Sequence, residues 1–339
     1  MLSYQAKTRL RKILIGLLML ALVLLVVWIC WMVWLQRYIV FTRDGVVFAF
    51  DRSTLLLEEK AESQVTQPER ITMELEIADE TVPVQSQTLS GVYVDTELLT
   101  GQLEQVPAEL AALEPGTAVM LDVKSIFGNY YYSTQMTGGE QSTAVDISAM
   151  DGLISTLAQG EAYLIARVPA FRDSAFALDN PSCGLALASG ALWTDEESCY
   201  WLDPANQMVV DHLIQLCREL QGLGFDEVVF SDFSFPESAN IVYDGDRSAA
   251  VLEAASRLQA NLVEEGITFS IETEDPALAA YAARVYISEE DGARVQELAD
   301  AFSAAYNVLE ERLVFVTASR DTRFAQYGIF RPALDDEES

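Results

Sequence analysis

EPGTAVMLDVK (Glu114–Lys124) carries a stop and a start within a few residues. Glu114-Pro115-Gly116 ends the helix-like pattern of Glu97–Leu113, because proline cannot extend a helix and glycine readily follows one. Thr117–Lys124 then alternates as a strand, with Val119, Leu121 and Val123 on its apolar face and Asp122 and Lys124 on the other. The same switch of period recurs outward in both directions. Gly91–Asp95 is a strand before it. After it come a helix over Ile147–Gln159 and a strand over Ala162–Val168. A long loop to Asp203 leads to a helix over Ala205–Leu223 and a strand over Glu227–Phe233. A helix over Arg247–Glu265 and a strand over Ile267–Glu272 follow. Fainter repeats occupy Arg284–Ile287, Asp291–Tyr306, Leu313–Thr317 and Tyr327–Phe330. Strands alternating with helices over residues 88–331 predict a (β/α)8 TIM-like barrel, with last units faint enough to be incomplete. A doubly wound sheet is the alternative, but no GxGxxG follows the first strand, so a dinucleotide site is not supported.

Charge divides the 339-residue chain in two. Its net charge is −31, yet residues 1–43 hold six basic residues and no acidic one. Everything after them is therefore more acidic than the total suggests. Such a surface repels phosphate backbones, which argues against nucleic acid as a partner. Residues 1–12 read as a basic tail and 13–36 as a membrane span. From Ile13 to Leu35 there is no charge, enough helix to cross a hydrocarbon core of about 30 Å. Trp28, Trp31 and Trp34 gather at its far end as an interfacial belt, and Lys7, Arg9, Arg11 and Lys12 predict a cytoplasmic N-terminus. The run is too long, and too bulky at its end, for a cleaved signal peptide. The expected topology is a single-pass signal anchor in the cell membrane, with the rest of the chain extracytoplasmic and the lipid bilayer as a partner. Residues 37–87 read as a short hairpin around Arg43-Asp44-Gly45 followed by a polar stalk, and 332–339 as an acidic tail.

In a barrel, polar groups at the C-terminal ends of the strands are where chemistry is built. Parity sends Asp122, Lys124, Arg167 and Glu272 to that mouth, and leaves open whether Ser231 or Asp232 points in. Ion pairing that merely fixes the strands is the competing account of these charges. Trp193 and Trp201, in the long loop, could stack on sugar rings. With one histidine, His212, and no CxxC spacing, neither a metal site nor any cofactor is indicated. Cys183 and Cys199 could pair, and Cys217 falls in a helical pattern as a buried thiol.

Four stretches carry a resemblance: LDVKSIFGNYYYS (Leu121–Ser133), YLIARVPAFRDSAFALDNP (Tyr163–Pro181), LWTDEESCYWLDPAN (Leu192–Asn206) and GFDEVVFSDFSFP (Gly224–Pro236). In these the chain resembles a family of bacterial cell-envelope glycoside hydrolase-like domains with a TIM-barrel fold. Asp122, Lys124, Arg167, Phe171, Asp173, Trp193, Asp195, Trp201, Asp203, Pro204, Phe235 and Pro236 match the family pattern in order. The resemblance implies a polysaccharide or oligosaccharide ligand. It makes Lys124, Arg167, Asp173, Trp193, Asp195, Trp201 and Asp203 candidate substrate-binding residues. The chain departs from the pattern at strand four, where Ser231-Asp232 replaces Asp-Tyr and Ser234 stands in place of an Arg.

Glycoside hydrolysis needs two carboxyl groups flanking the bond, one protonated and one ionised. The expected pair is Glu272 as acid and Asp232 as the ionised partner, with Asp122 as substitute if Asp232 points away. The function expected is that of a membrane-anchored extracytoplasmic glycoside hydrolase acting on a cell-envelope or extracellular polysaccharide. The alternatives are a catalytically inactive glycan-binding or scaffold ectodomain of the same fold, and a partner-binding ectodomain without a glycan ligand.

Overall fold

A computed structural model describes residues 39–42, 45–48, 88–306 and 308–334. The expected span and stalk lie outside the described residues, as does the end of the acidic tail. The chain divides into two units, residues 1–80 and 81–339. Within the first, Ile39–Thr42 and Gly45–Phe48 pair antiparallel, with Thr42 opposite Gly45, which is the hairpin expected there.

The second unit is a closed barrel of eight parallel strands: β1 (Gly91–Val94), β2 (Ala118–Asp122), β3 (Leu164–Pro169), β4 (Glu227–Ser231), β5 (Thr268–Glu272), β6 (Val285–Ser288), β7 (Leu313–Val316) and β8 (Gly328–Pro332). Each pairs with its neighbours in sequence, and β8 closes on β1. The faint C-terminal repeats therefore complete the barrel rather than leave it open. Faintness has a local cause: the connection from β5 to β6 is a 3-10 turn over Pro276–Ala280, and that from β7 to β8 another over Thr322–Gln326. Turns this short cannot show a helical period. The seam is also tight, since a Cβ on Gly91 would lie 2.0 Å from the Ala118 carbonyl oxygen. Only glycine allows β1 to approach β2 that closely.

Helices α1 (Thr96–Gly101) and α2 (Val106–Ala111) replace the single helix expected over Glu97–Leu113. Pro107 explains the division, because proline suits a first helical turn and not a helix interior. The others are α3 (Ile147–Ala158), α4 (Ser174–Asp179), α5 (Gln207–Gly222), α6 (Arg247–Glu264) and α7 (Val295–Phe302). Asp95, Asp146, Asp173 and Asp246 cap α1, α3, α4 and α6, each accepting a backbone N–H of the first turn. Such caps stabilise by about 1 kcal/mol each, so some of the chain's acidity serves its helices.

Parity holds along the strands. Val119, Leu121, Val228, Phe230, Phe269 and Ile271 pack in the core between strands and helices. Ala118, Met120, Ile165, Val229, Tyr286, Val314 and Phe330 fill the barrel interior. Low in that interior, buried Glu227 accepts hydrogen bonds from Tyr163 (3.0 Å) and Tyr286 (3.2 Å), and pairs with Arg284 at 2.5 Å.

Cys183, Cys199 and Cys217 are all buried free thiols, so the pairing considered for the first two is absent. His212, on α5, stacks on Phe176 with ring centroids 4.1 Å apart. Burial, then the nearby Lys124 ammonium, push it down to about 3, and Asp173 only partly opposes them. It is therefore neutral when folded but takes a proton when unfolded below about pH 6.5. The unfolded state binds more protons in that window, so stability falls as pH drops from 6.5 towards 3. The expected slope from this group is about 1.4 kcal/mol per pH unit. Denaturant titrations across that range should show a flatter profile in His212→Phe; an unchanged slope would refute the assignment.

Candidate active site

The mouth is organised by Arg167, the fourth residue of β3, whose side chain rises on the inner face beyond Ile165. Its Nε donates to Glu272 Oε2 at 2.7 Å, and its Nη1 donates to Asp122 Oδ1 at 3.1 Å and to the Tyr93 hydroxyl at 3.0 Å. The guanidinium carbon lies 5.6 Å from the centre of the Tyr93 ring. Three strands, β1, β2 and β5, are thus tied to a fourth by one planar cation with a fixed fork of donors.

Asp122 has no acceptor capacity to spare. Tyr93 donates to it at 2.9 Å, and the Thr96 amide and hydroxyl each donate at 2.8 Å, in addition to Arg167. Burial, then the adjacent Asp122 charge, push the Tyr93 phenol well above its ordinary value and keep it a donor. Asp122, expected as a substitute catalytic carboxylate, therefore works as the anchor of Arg167. Glu272 accepts one hydrogen bond at each oxygen, Oε2 from Arg167 and Oε1 from the Ser288 hydroxyl at 2.6 Å.

Asp232 stands at the end of β4, the strand that pairs with both β3 and β5. Parity turns Ser231 inward, and Asp232 follows it because its backbone is left-handed, at φ 51°. That conformation is uncommon for a residue with a side chain, and aspartate is among those that adopt it most readily. It removes the one-residue offset seen in the sequence: Asp232 Oδ1 lies 3.7 Å from Arg172 Nη1 and the carboxyl feels the Arg167 and Glu272 charges, while Ser231 Oγ donates to Oδ2 at 3.1 Å. Burial raises the Asp232 carboxyl above its ordinary value, and the Glu272 charge adds to this; Arg172 and Arg167 oppose it.

Arg172 was not legible as a site residue, although it stands in the quoted Arg-Asp pair. Its Nε and Nη2 reach Asp195 Oδ2 at 2.7 and 2.6 Å, Nη2 also meets Glu197, and Nη1 lies 3.7 Å from Asp232 Oδ1. The Trp201 indole N–H donates to the same Asp195 oxygen at 2.8 Å, while the Glu197 and Cys199 amides bind the other. Burial alone would raise Asp195, but Trp201, the Cys199 amide and Arg172 outweigh it and hold the carboxyl low. Asp195 and Trp201 thus clamp Arg172 instead of presenting free groups to a sugar, and Trp201 is buried.

The remaining expected ligands separate as well. Lys124 pairs with Asp173, and both are almost sealed from solvent, at 3% and 2% exposure. Extending strand parity to Lys124 fails because β2 ends at Asp122 and the chain turns back, Lys124 bridging to Tyr130. Asp173 also caps α4, accepting from the Phe176 amide at 2.9 Å. Asp203 accepts from the Ala205 amide at 2.9 Å ahead of α5, and its own burial raises it. Trp193 is half-buried against the outer core. Of the residues expected at the mouth, Arg167, Glu272, Asp122 and Asp232 are brought together there; Lys124 and Asp173 are not. Tyr93, Thr96, Arg172 and Ser288 join them, signalled in the sequence only by inward parity or by lying next to a motif.

A closed parallel barrel with carboxyl groups gathered round an arginine at the C-terminal mouth defines a TIM-barrel protein. Residues 91–319 match the family described as "Putative glycosyl hydrolase domain", and the chain belongs to that family. No curated protein matches the chain in sequence. Among solved structures it is similar to the GH36 α-galactosidase AgaA of Geobacillus stearothermophilus, crystallised with stachyose. Identity is 12% and the TM-score 0.51, over 74% of this chain and 39% of that one. The α-galactosidase of Lactobacillus brevis gives 13% identity and a TM-score of 0.51, over 75% and 38% of the two chains. The chain spans under two-fifths of these enzymes, and at such identity the likeness is one of fold.

Proposed function

We propose that this chain is a membrane-anchored, extracytoplasmic glycoside hydrolase that cleaves a cell-envelope or extracellular polysaccharide with Asp232 and Glu272. The anchor rests on the apolar run before Arg37 and its flanking charges. The observation that carries the chemistry is the contrast between the two carboxyl groups at one mouth. Glu272 lies on the Arg167 guanidinium, which suits a carboxylate, whereas Asp232 is raised by burial, which suits a proton donor. The roles are thus the reverse of those expected from sequence. Asp232 gives its proton to the glycosidic oxygen as the bond to the anomeric carbon breaks. Glu272 then either attacks that carbon or takes a proton from the attacking water.

Incubating the full chain with isolated cell-wall and capsular polysaccharides tests this. Release of reducing ends by the wild type, lost in Asp232→Asn and Glu272→Gln, is expected. Binding without release in the wild type would favour the inactive glycan-binding reading, to which the close Arg172–Asp232 approach lends support.

Arg172 sets where the reaction stops at high pH. Its charge opposes the rise of Asp232, so Arg172→Gln lets Asp232 hold its proton to higher pH. The alkaline limb of kcat/KM should move up by about one pH unit, and Arg172→Lys should restore most of the shift. A limb that stays in place in Arg172→Gln would remove Asp232 from the role of acid.

A further inference from the structure

Beside the mouth lies a cleft of about 650 Å³, within the usual size of a ligand site. Phe233 and Ser234, just past Asp232, line one end, and Thr273, just past Glu272, lines another. The cleft is therefore continuous in sequence with both carboxyl groups, where the next unit of a sugar chain would lie. Phe235, Leu278 and Val251 supply apolar wall.

Arg247, half-buried in that wall, differs from three arginines around the barrel mouth. Arg167, Arg172 and Arg294 each hold at least two carboxylates. Arg247 has none within salt-bridge distance among the described residues. It lies over the Phe235 ring at 5.0 Å and donates once, to the Ile241 carbonyl at 3.3 Å. In a chain with 52 acidic and 21 basic side chains, a guanidinium held in place without a counter-charge has most of its donors uncommitted. The Phe235 ring beneath it helps hold the guanidinium in place for a planar, two-oxygen partner. Two other charges line the cleft, Glu237 and Asp275, both exposed; Asp275 also caps the turn at Ala277. They would repel a densely charged polymer while leaving room for one acidic group beside Arg247.

We propose that this cleft is a subsite for a single carboxylate-bearing sugar, a uronic acid among neutral neighbours, and that Arg247 selects it. The proposal rests on the glycan-cleaving reading above and names its substrate class. The test measures binding of the full chain to uronate-containing oligosaccharides and to the same compounds with the carboxyl reduced to an alcohol. Preference for the uronate by about tenfold or more is expected. Arg247→Gln should abolish the preference, and Arg247→Lys should keep part of it. Equal binding of both compounds by the wild type would overturn the proposal, as would a preference that survives Arg247→Gln. Tighter binding of a sulfated or phosphorylated analogue than of the uronate would overturn the carboxylate assignment. Cleavage of neutral polysaccharide without uronate preference would remove this inference alone; absence of cleavage of any glycan would remove the reading beneath it.

Discussion

Glu272→Gln is expected to lower glycan hydrolysis about a thousandfold, with the fold intact. Removal of a positioned acid or base in other enzymes lowers rates by about 10² to 10⁴. The amide keeps the shape of the carboxyl group, so its oxygen can still accept from Arg167 Nε and the Ser288 hydroxyl can accept from its nitrogen. What it lacks is the negative charge that faces the developing positive charge at the anomeric carbon. Asp232→Asn should cost a similar factor by a different route, since an amide cannot supply the proton. The two losses should not multiply, because the groups act on one transition state. Stopped assays of reducing-end release, with thermal melts run on the same preparations, check this. A Glu272→Gln variant within threefold of wild type, at an unchanged melting temperature, would exclude Glu272 from the chemistry.

Much of the barrel can be read from the chain because its signals are local. A parallel strand buried on both faces still separates its helix-facing residues from its interior ones, and Val119, Leu121, Phe269 and Ile271 fall where parity puts them. Arg167 and Glu272 were placed at the mouth by the same rule, and they meet there at 2.7 Å. The rule fails where regular strand ends. Lys124 lies two residues past β2, after the chain has turned, and so enters a buried pair instead of the mouth. Asp232 lies one residue past β4, and a left-handed backbone there returns it to the mouth when alternation would send it away. Long-range partners were least visible. Nothing near Arg172 in sequence indicates that Asp195 and Trp201, more than twenty residues on, would fold back onto it through the bridge between Arg172 and Trp201. The long loop is thus a built part of the mouth, and its aromatic residue is structural first.

The largest loss of stability is expected in Lys124→Met. Lys124 and Asp173 are both nearly without solvent, and the ammonium also lies 5.3 Å from the centre of the Tyr130 ring. A Cβ on nearby Gly128 would come within 2.3 Å of Asp173 Oδ1, so the carboxylate has little room to swing out to water. Methionine keeps the length of the stem and removes the charge. Asp173 is then left as a buried anion whose remaining hydrogen bond is the cap on α4. Breaking a buried pair from one side costs about 3–5 kcal/mol, a large share of a domain's stability. His212 makes the loss depend on pH in a way that a packing defect would not. Its Nε2 is 3.8 Å from Asp173 Oδ2, and Lys124 is one of the two influences that keep it neutral. Without Lys124, the Asp173 charge favours the protonated imidazole, so the variant can recover a cation on acidification. Wild type loses stability from pH 6.5 downward through this histidine; the variant should lose less, or none. The difference between them should therefore narrow by about 2 kcal/mol between pH 7.5 and pH 5. Lys124→Met/Asp173→Asn, which removes both charges and keeps a side chain able to cap α4, should be more stable than Lys124→Met alone. Urea titrations at the two pH values decide the matter. A loss below about 1 kcal/mol at pH 7.5, or a gap that widens at pH 5, would show that the pair does not hold this corner of the barrel.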